Sequence, residues 1–356
     1  MDAERFLTET AILVDKTIEK YIPRAFSKGA VVFKINPPNY AYNLDPLNKA
    51  IAAPIWEFLD RGGKRWRPAL FLLICEILGK SPRDIVDFSI IPEVIHNGTL
   101  MVDDIEDSSE LRREKPCTYK IYGLDIAINA GNAMYYLPLL PLIENRERVS
   151  AHKAQKIYEI YAQEMINLSL GQAMDIAWHR GLAKANELDE KSYLQMCAYK
   201  TGTLARMSAK MASVLADAND ELVDRLGRLA ESIGIAFQMQ DDVLDLTSPE
   251  FEKKKGGRGQ DITEGKRSLI VIHTLKVAEA QDRRRLIEIL DEHTSNQKLR
   301  NEAITLMTKY GSIEYVKKFA KKMVEESLKE AGRLLPDSDG KEKLKSFAEF
   351  LIERHI

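Results

Sequence analysis

Two stretches of this 356-residue sequence place aspartates where a helix would line them up. The first runs His96-Asn97-Gly98-Thr99-Leu100-Met101-Val102-Asp103-Asp104-Ile105-Glu106-Asp107. At about 100° per residue, His96, Asp103 and Asp107 fall within about 40° of one another, with Thr99 on much the same side. The second runs from Gly234 to Asp245 and brings Gln238, Asp241 and Asp245 within about 60° of one another. Asp104 and Asp242 point about 100° away from their neighbours and read as supports rather than ligands. Beside the first acidic face, Ile91, Val94, Gly98, Val102 and Ile105 form the expected packing stripe. Carboxylates next to such a stripe are costly unless cations neutralise them. Mg²⁺, a hard ion that favours a few carboxylates together with phosphate oxygens and water, is the natural solution. One such motif alone is as well explained by a solvated helix end, but two on otherwise apolar helices are hard to explain as surface.

Basic residues of the kind that bind diphosphate sit near these motifs. Gly62-Gly63-Lys64-Arg65-Trp66-Arg67-Pro68 puts three of them on a glycine-loosened loop where they can converge, and Arg112-Arg113 follow the first aspartates after a short turn. The planar fork of arginine suits phosphate, and lysine adds point charge. His96 alone is an ordinary core histidine, and only its register with Asp103 makes it a candidate. Asp175 suits a capping or hydrogen-bonding role, and Trp66, Trp178, Tyr135 and Tyr136 suit core or pocket wall.

Helical patterns must position these residues. They run over about 5–30, 46–60, 69–78, 84–108, 122–144, 148–178, 189–217 and 219–247, without strand alternation between them, so the expected fold is all-α. Pro37 and Pro38 mark a loop, Gly79 a helix stop, and the charged, glycine-rich Glu252–Gly259 an exposed, mobile loop. Helices resume near Ser268, and 313–335 reads as a solvated amphipathic helix. One domain is expected, with an N-terminal helix and loop over 1–45, a motif-bearing core over 46–275 and C-terminal helices over 276–356. The net charge of −2 gives no reason to expect a nucleic-acid partner. Cys75, Cys117 and Cys197 lie far apart, which argues against a zinc site or a disulfide framework. The N-terminus carries no apolar stretch long enough for a signal peptide or membrane span, and a cytoplasmic protein is expected.

Together the motifs resemble the trans-isoprenyl diphosphate synthases. The match runs through Gly62–Pro68, Asp103–Arg113, Gly171-Gln172-Ala173-Met174-Asp175, Lys200-Thr201-Gly202, Asp241–Asp245 and Asp261-Ile262-Thr263-Glu264-Gly265-Lys266, over about residues 55–275 and in the family's order. The resemblance implies an isoprenoid-synthase helical bundle around a deep central cavity, with the aspartate motifs facing each other across it. It implies a Mg²⁺-dependent prenyltransferase, acting by ionisation, condensation and elimination, and a homodimer. Lys64, Arg67, His96 and Arg113 would bind isopentenyl diphosphate. Asp103, Asp107, Asp241 and Asp245 would hold Mg²⁺. Arg112, Lys200, Thr201, Gln238 and Lys266 would contact the allylic diphosphate, whether dimethylallyl, geranyl or farnesyl. The catalytic set would be Asp103, Asp107, Arg112, Lys200 and Asp241. Two positions depart from the family pattern: Glu114 stands where glycine usually follows the paired arginines, and Gly256 stands where a lysine usually precedes Asp261, with Lys255 one step earlier.

In this family the residues four and five before the first aspartate help to set product length. Here they are Thr99 and Gly98, both small, so the cavity floor is expected elsewhere, with Tyr135 or Tyr136 as candidates. The form D-D-I-E-D-x-S-x-x-R-R resembles geranylgeranyl diphosphate synthases and implies a C20 product, with C15 and C25 or longer as alternatives. A terpene cyclase would not need Lys64, Arg67, His96 and Arg113. An inactive partner subunit would typically lose an aspartate motif, and both are present.

Overall fold

A computed structural model describes residues 2–27, 39, 40, 43–184, 187–248, 257–335 and 339–353. The Pro37-Pro38 loop and the 252–256 part of the charged glycine-rich stretch, including Lys255 and Gly256, lie outside the described residues. Among the described residues the regular structure is helical apart from one hairpin of two short strands, so the fold is all-α. Its contacts fall into two compact units, one made of residues 1–161, 207–224 and 336–344, the other of 162–206, 225–335 and 345–356.

The first unit is built on helices α1 (Ala3–Tyr21), α2 (Leu44–Leu47), α3 (Ala53–Leu59), α4 (Trp66–Ile77) and α5 (Pro82–Glu106). A turn of π-helix, Asn48–Ala52, joins α2 to α3, where the Ala53 N–H bonds to the Asn48 carbonyl five residues back. Pro54 follows at once, and its missing N–H interrupts the regular ladder that a single helix over 46–60 would have required. Every residue of α4 except Glu76 is buried, as its unbroken apolar run demands. After α5 come the hairpin strands β1 (Leu111–Arg112) and β2 (Lys115–Pro116), then α6 (Thr118–Tyr122), α7 (Leu124–Tyr136) and α8 (Leu140–Glu144). Val14, Ile18, Phe58, Ile90, Val94, Met101 and Met134 share one apolar core.

Helix α5 differs from the expected stripe at its C-terminal end. Val102 and Ile105 are only half-buried, while Met101 and Asp104 are buried. The core side has rotated by about one residue, because α5 packs closely on α7 at a glycine pair. A Cβ added to Gly98 would lie 2.8 Å from both the Gly131 carbonyl oxygen and Met134 Cβ. By length and composition, Pro82–Glu106 and Leu124–Glu144 could each cross a membrane, but 78% of the most apolar window of the first is buried in the protein, as in a core helix.

The remaining helices are α9 (Ala151–His179), α10 (Glu190–Lys200), α11 (Gly202–Leu215), α12 (Asp220–Thr247), α13 (Gln260–Thr263), α14 (Leu269–Val277), α15 (Ala280–Asp291), α16 (Gln297–Lys309), α17 (Ser312–Gly332) and α18 (Asp339–Glu353). The helix expected over 189–217 is broken at Thr201, the C-cap of α10. Helix α17 buries Ile313, Val316, Ala320 and Val324 along one side, the amphipathic pattern expected there. Gly257, Arg258 and Gly259 are not an exposed loop. Gly259 is buried and its N–H bonds to the Asp245 carbonyl at 3.0 Å, while Arg258 Nε donates to the Leu246 carbonyl. The three cysteines are buried thiols.

Candidate active site

In the first unit, three segments bring the basic residues to α5. Arg65 is buried and serves as a structural clamp rather than a converging cation. Its guanidinium bonds to Asp15 at 2.9 Å, to Glu93 at 3.1 Å and to the Leu59 carbonyl at 3.1 Å. Arg67 is buried and stacks over the Trp66 ring at 4.5 Å, whereas Lys64 is exposed. Arg113 donates to the Gly62 carbonyl and, at 3.4 Å, to Asn97 Oδ1. Gly63 permits this approach, since a Cβ there would lie 3.1 Å from Arg113 Nη2 and 3.2 Å from Arg65 Nη1.

His96 sits within reach of this cluster. Burial holds its ring well below the ordinary value of 6.5, and the charges of Arg67, Arg113, Arg65 and Arg112 push it the same way, so it is a neutral imidazole. Burial likewise lowers Arg113 to about 10, with Arg65 beside it, which still leaves it charged at neutral pH. The charges of four arginines thus converge on one neutral imidazole, an arrangement that favours an anionic guest.

Asp103 and Asp104, adjacent in sequence, are separated by the tertiary structure. The Asp104 side chain is 1% exposed and takes two bonds from Arg112, at 2.7 Å from Nε and 2.5 Å from Nη2. The Asp103 side chain is 20% exposed and lies 3.9 Å from Arg112 Nη2. Asp104 therefore anchors the arginine, and Asp103 faces outward with Asp107, the C-cap of α5. The departure at Glu114 has a geometric meaning. Residues 113 and 114 are the two central residues of the hairpin turn, and both have positive φ, 53° and 66°. A two-residue turn of this kind favours glycine, which explains the family pattern and makes Glu114 strained.

In the second unit, Lys200 Nζ pairs with Asp175 Oδ2 at 2.5 Å. Gly171 makes the pairing possible, because a Cβ there would collide with the Lys200 backbone nitrogen and the Tyr199 carbonyl carbon. Thr201 Oγ1 donates to Gln238 Oε1 at 3.1 Å, and Gln238 Nε2 donates to Asp242 Oδ1 at 2.8 Å. Burial, reinforced by the charge of Asp261, raises Asp242 to about 7. Asp241 is half-buried. Asp245 is buried, and its Oδ2 accepts from the Asp261 N–H at 3.1 Å, which ties α13 to the end of α12. Lys266 lies 3.6 Å from Asp261 and 2.5 Å from Glu264.

Sequence reasoning gave no role to Asn97 or Tyr193, and it read Arg65 as a converging cation rather than a clamp. Register offered a signal for both: Asn97 adjoins His96, and Tyr193 precedes Lys200 by two turns. His179, one turn beyond Asp175, was also missed, and burial lowers its ring below the ordinary range.

A family model described as polyprenyl synthetase matches residues 48–307. The chain belongs to the polyprenyl synthetase family. A geranylgeranyl diphosphate synthase of Methanosarcina mazei is 33% identical over 298 residues, which is 83% of this chain and 87% of that protein. The crystal structure of a geranylgeranyl pyrophosphate synthetase from Pyrococcus horikoshii Ot3 superposes with a TM-score of 0.83, at 30% identity, over 100% of both chains. A polyprenyl synthase from Caulobacter crescentus CB15, solved with calcium and isoprenyl diphosphate, shares the fold at 21% identity, with a TM-score of 0.81 over 99% of this chain and 98% of that one. This polyprenyl synthetase is accordingly a prenyltransferase.

Its donor set fits a hard divalent cation. Both aspartate motifs close long helices that carry no basic residue in the last turn, so carboxylates and the negative end of the helix dipole add together. Among the described residues no three His, Cys, Asp or Glu side chains are grouped as a ready-made metal cage.

Proposed function

We propose that this polyprenyl synthetase condenses isopentenyl diphosphate head to tail with allylic diphosphates and releases geranylgeranyl diphosphate, the C20 product. The observation that carries this reading is the acidic end of α5 beside a cluster of four arginines around neutral His96. Relatives named as geranylgeranyl diphosphate synthases support the product length.

Asp103, Asp107, Asp241 and Asp245 would hold Mg²⁺, which supplies positive charge to a departing diphosphate. The chain's own residues do the rest. Lys64, Arg67, Arg113 and His96 bind isopentenyl diphosphate, His96 donating one N–H without adding charge. Arg112, Lys200, Thr201, Gln238 and Lys266 receive the allylic substrate. The allylic C–O bond breaks and its electron pair leaves with the diphosphate. The isopentenyl double bond then forms the new C–C bond, and the released diphosphate takes the proton lost as a new allylic double bond forms. Arg112, oriented by Asp104, and Lys200, oriented by Asp175, are preorganised for that developing negative charge.

A cytoplasmic homodimer is part of the same reading. Leu124, Ile128 and Tyr136 leave 55%, 43% and 67% of their surfaces exposed along one side of α7, apolar area that a second copy would cover. Incubating the protein with Mg²⁺, radiolabelled isopentenyl diphosphate and each allylic primer, then sizing the products, tests the proposal. A C20 product is expected. Label only in cyclised hydrocarbon, or no incorporation with any primer, would refute it.

A further inference from the structure

The hairpin that presents Arg112 and Arg113 is too short to hold its own shape. Its strands have two residues each, and a pair of that length is marginal in water. Its turn asks for more restraint than most, because Arg113 and Glu114 both sit at positive φ and neither is glycine. Left-handed backbone of this kind persists only where the surroundings impose it.

Residues 61 and 62, just beyond α3, impose it. The Arg61 side chain is 0% exposed. Its Nη1 donates to the Arg112 carbonyl at 3.2 Å and its Nη2 to the Pro116 carbonyl at 2.9 Å, so one guanidinium spans both strands. Glu57, one turn back on α3, aims that guanidinium by accepting from Nε at 3.2 Å and from Nη2 at 2.6 Å. In return, Arg113 donates to the carbonyl of Gly62, so the two segments exchange arginine-to-carbonyl bonds. Both guanidinium groups lie 5.5 Å from the centre of the buried Phe58 ring.

We propose that Arg61 is the positioning residue of this hairpin, and that its staple compensates for Glu114 by holding Arg113 where it meets isopentenyl diphosphate. This inference rests on the proposed prenyl transfer and adds to it a cause for the geometry of one binding site. The side chain of Arg61 supplies the restraint that glycine at 114 would make unnecessary. Arg112 depends on the staple less, since Asp104 holds its guanidinium through two bonds. With no exposed surface of its own, the Arg61 side chain works through Arg113 rather than on the substrate.

Arg61→Lys keeps the charge but cannot span two carbonyls while facing Glu57. The expected result is a KM for isopentenyl diphosphate higher by about five- to tenfold, with kcat and the KM for the allylic diphosphate within about twofold. In a Glu114→Gly background, where the turn is relaxed without the staple, the same substitution should change that KM by less than about twofold. Circular dichroism and Tm accompany each variant. Should Arg61→Lys fail to fold, Glu57→Gln, which leaves Arg61 in place and loosens its aim, is expected to show the same selectivity and the same rescue. An unchanged KM for isopentenyl diphosphate, an equal rise for both substrates, or an equal cost in both backgrounds would overturn the inference and leave the reaction standing. A well-folded wild-type chain with no prenyl transfer would overturn the reaction, and the inference with it.

Discussion

Asp103 and Asp104 are neighbours in sequence with opposite surroundings, so replacing each by asparagine should fail in different ways. Asp104 accepts two bonds from one guanidinium and its side chain is 1% exposed. Removing one partner of a fully buried ion pair costs about 3–5 kcal/mol. The Arg112 side chain is 26% exposed, so water recovers part of the loss, and asparagine retains one acceptor. A destabilisation of about 2–3 kcal/mol is expected for Asp104→Asn, a fall of about 3–4 °C in Tm at about 1.3 °C per kcal/mol for a chain of 356 residues. Asp103 makes only a 3.9 Å contact with Arg112, and its charge works against that of Asp104. Asp103→Asn should therefore leave stability within about 0.5 kcal/mol of wild type. Its cost should appear in turnover, as a kcat lower by about 10²–10³ and a higher Mg²⁺ concentration at half-maximal rate. Differential scanning calorimetry with Mg²⁺ titrations of the initial rate measures both. Equal destabilisation by the two substitutions, with the Mg²⁺ dependence of Asp103→Asn unchanged, would refute the division between ligand and anchor.

Glu114→Gly should stabilise the protein by about 0.5–1 kcal/mol, because relief of a left-handed non-glycine residue outweighs the extra freedom of glycine in the unfolded chain; a lower chemical-denaturation midpoint would contradict this. Gly98→Phe should unfold or severely destabilise the α5–α7 crossing, where even a Cβ would lie 2.8 Å from Gly131 backbone. Thr99→Phe, half-buried on the Asp103 side, should instead fold and shorten the product, as read by chromatography. His96 should make stability depend on pH. Its folded value lies below the unfolded value of 6.5, so the unfolded state binds more protons in that window. Stability is then complete above about pH 6.5 and falls as the pH drops, by at most about 1.4 kcal/mol per unit. Urea titrations of His96→Gln should show a shallower loss between about pH 7 and 5, and an unchanged slope would exclude His96 as the source.

The sequence by itself determined the all-helical architecture, the extents of α4, α5, α9 and α12 within a few residues though not the end of α1 at Tyr21 or the breaks within 46–60, 122–144 and 189–217, and the chemical character of the two motifs. These depend on local properties: apolar spacing, proline and glycine punctuation, and the register that places Asp103 with Asp107 or Gln238 with Asp241. It also exposed Glu114 as a departure, though not the positive φ that gives the departure its meaning. Only the tertiary structure decided which charges are spent inside the protein. Arg65 looked like one of three converging cations until Asp15, Glu93 and the Leu59 carbonyl were seen to occupy it. Gly98 looked like open space because its contact, Gly131, lies on another helix. The break at Thr201, the grip of Asp175 on Lys200 and the bond from Tyr193 to Asp242 all join residues on different helices or depend on such packing. The physical reason is common to these cases: one helix records which side chains share a face, but burial and partnership are properties of what packs against that face.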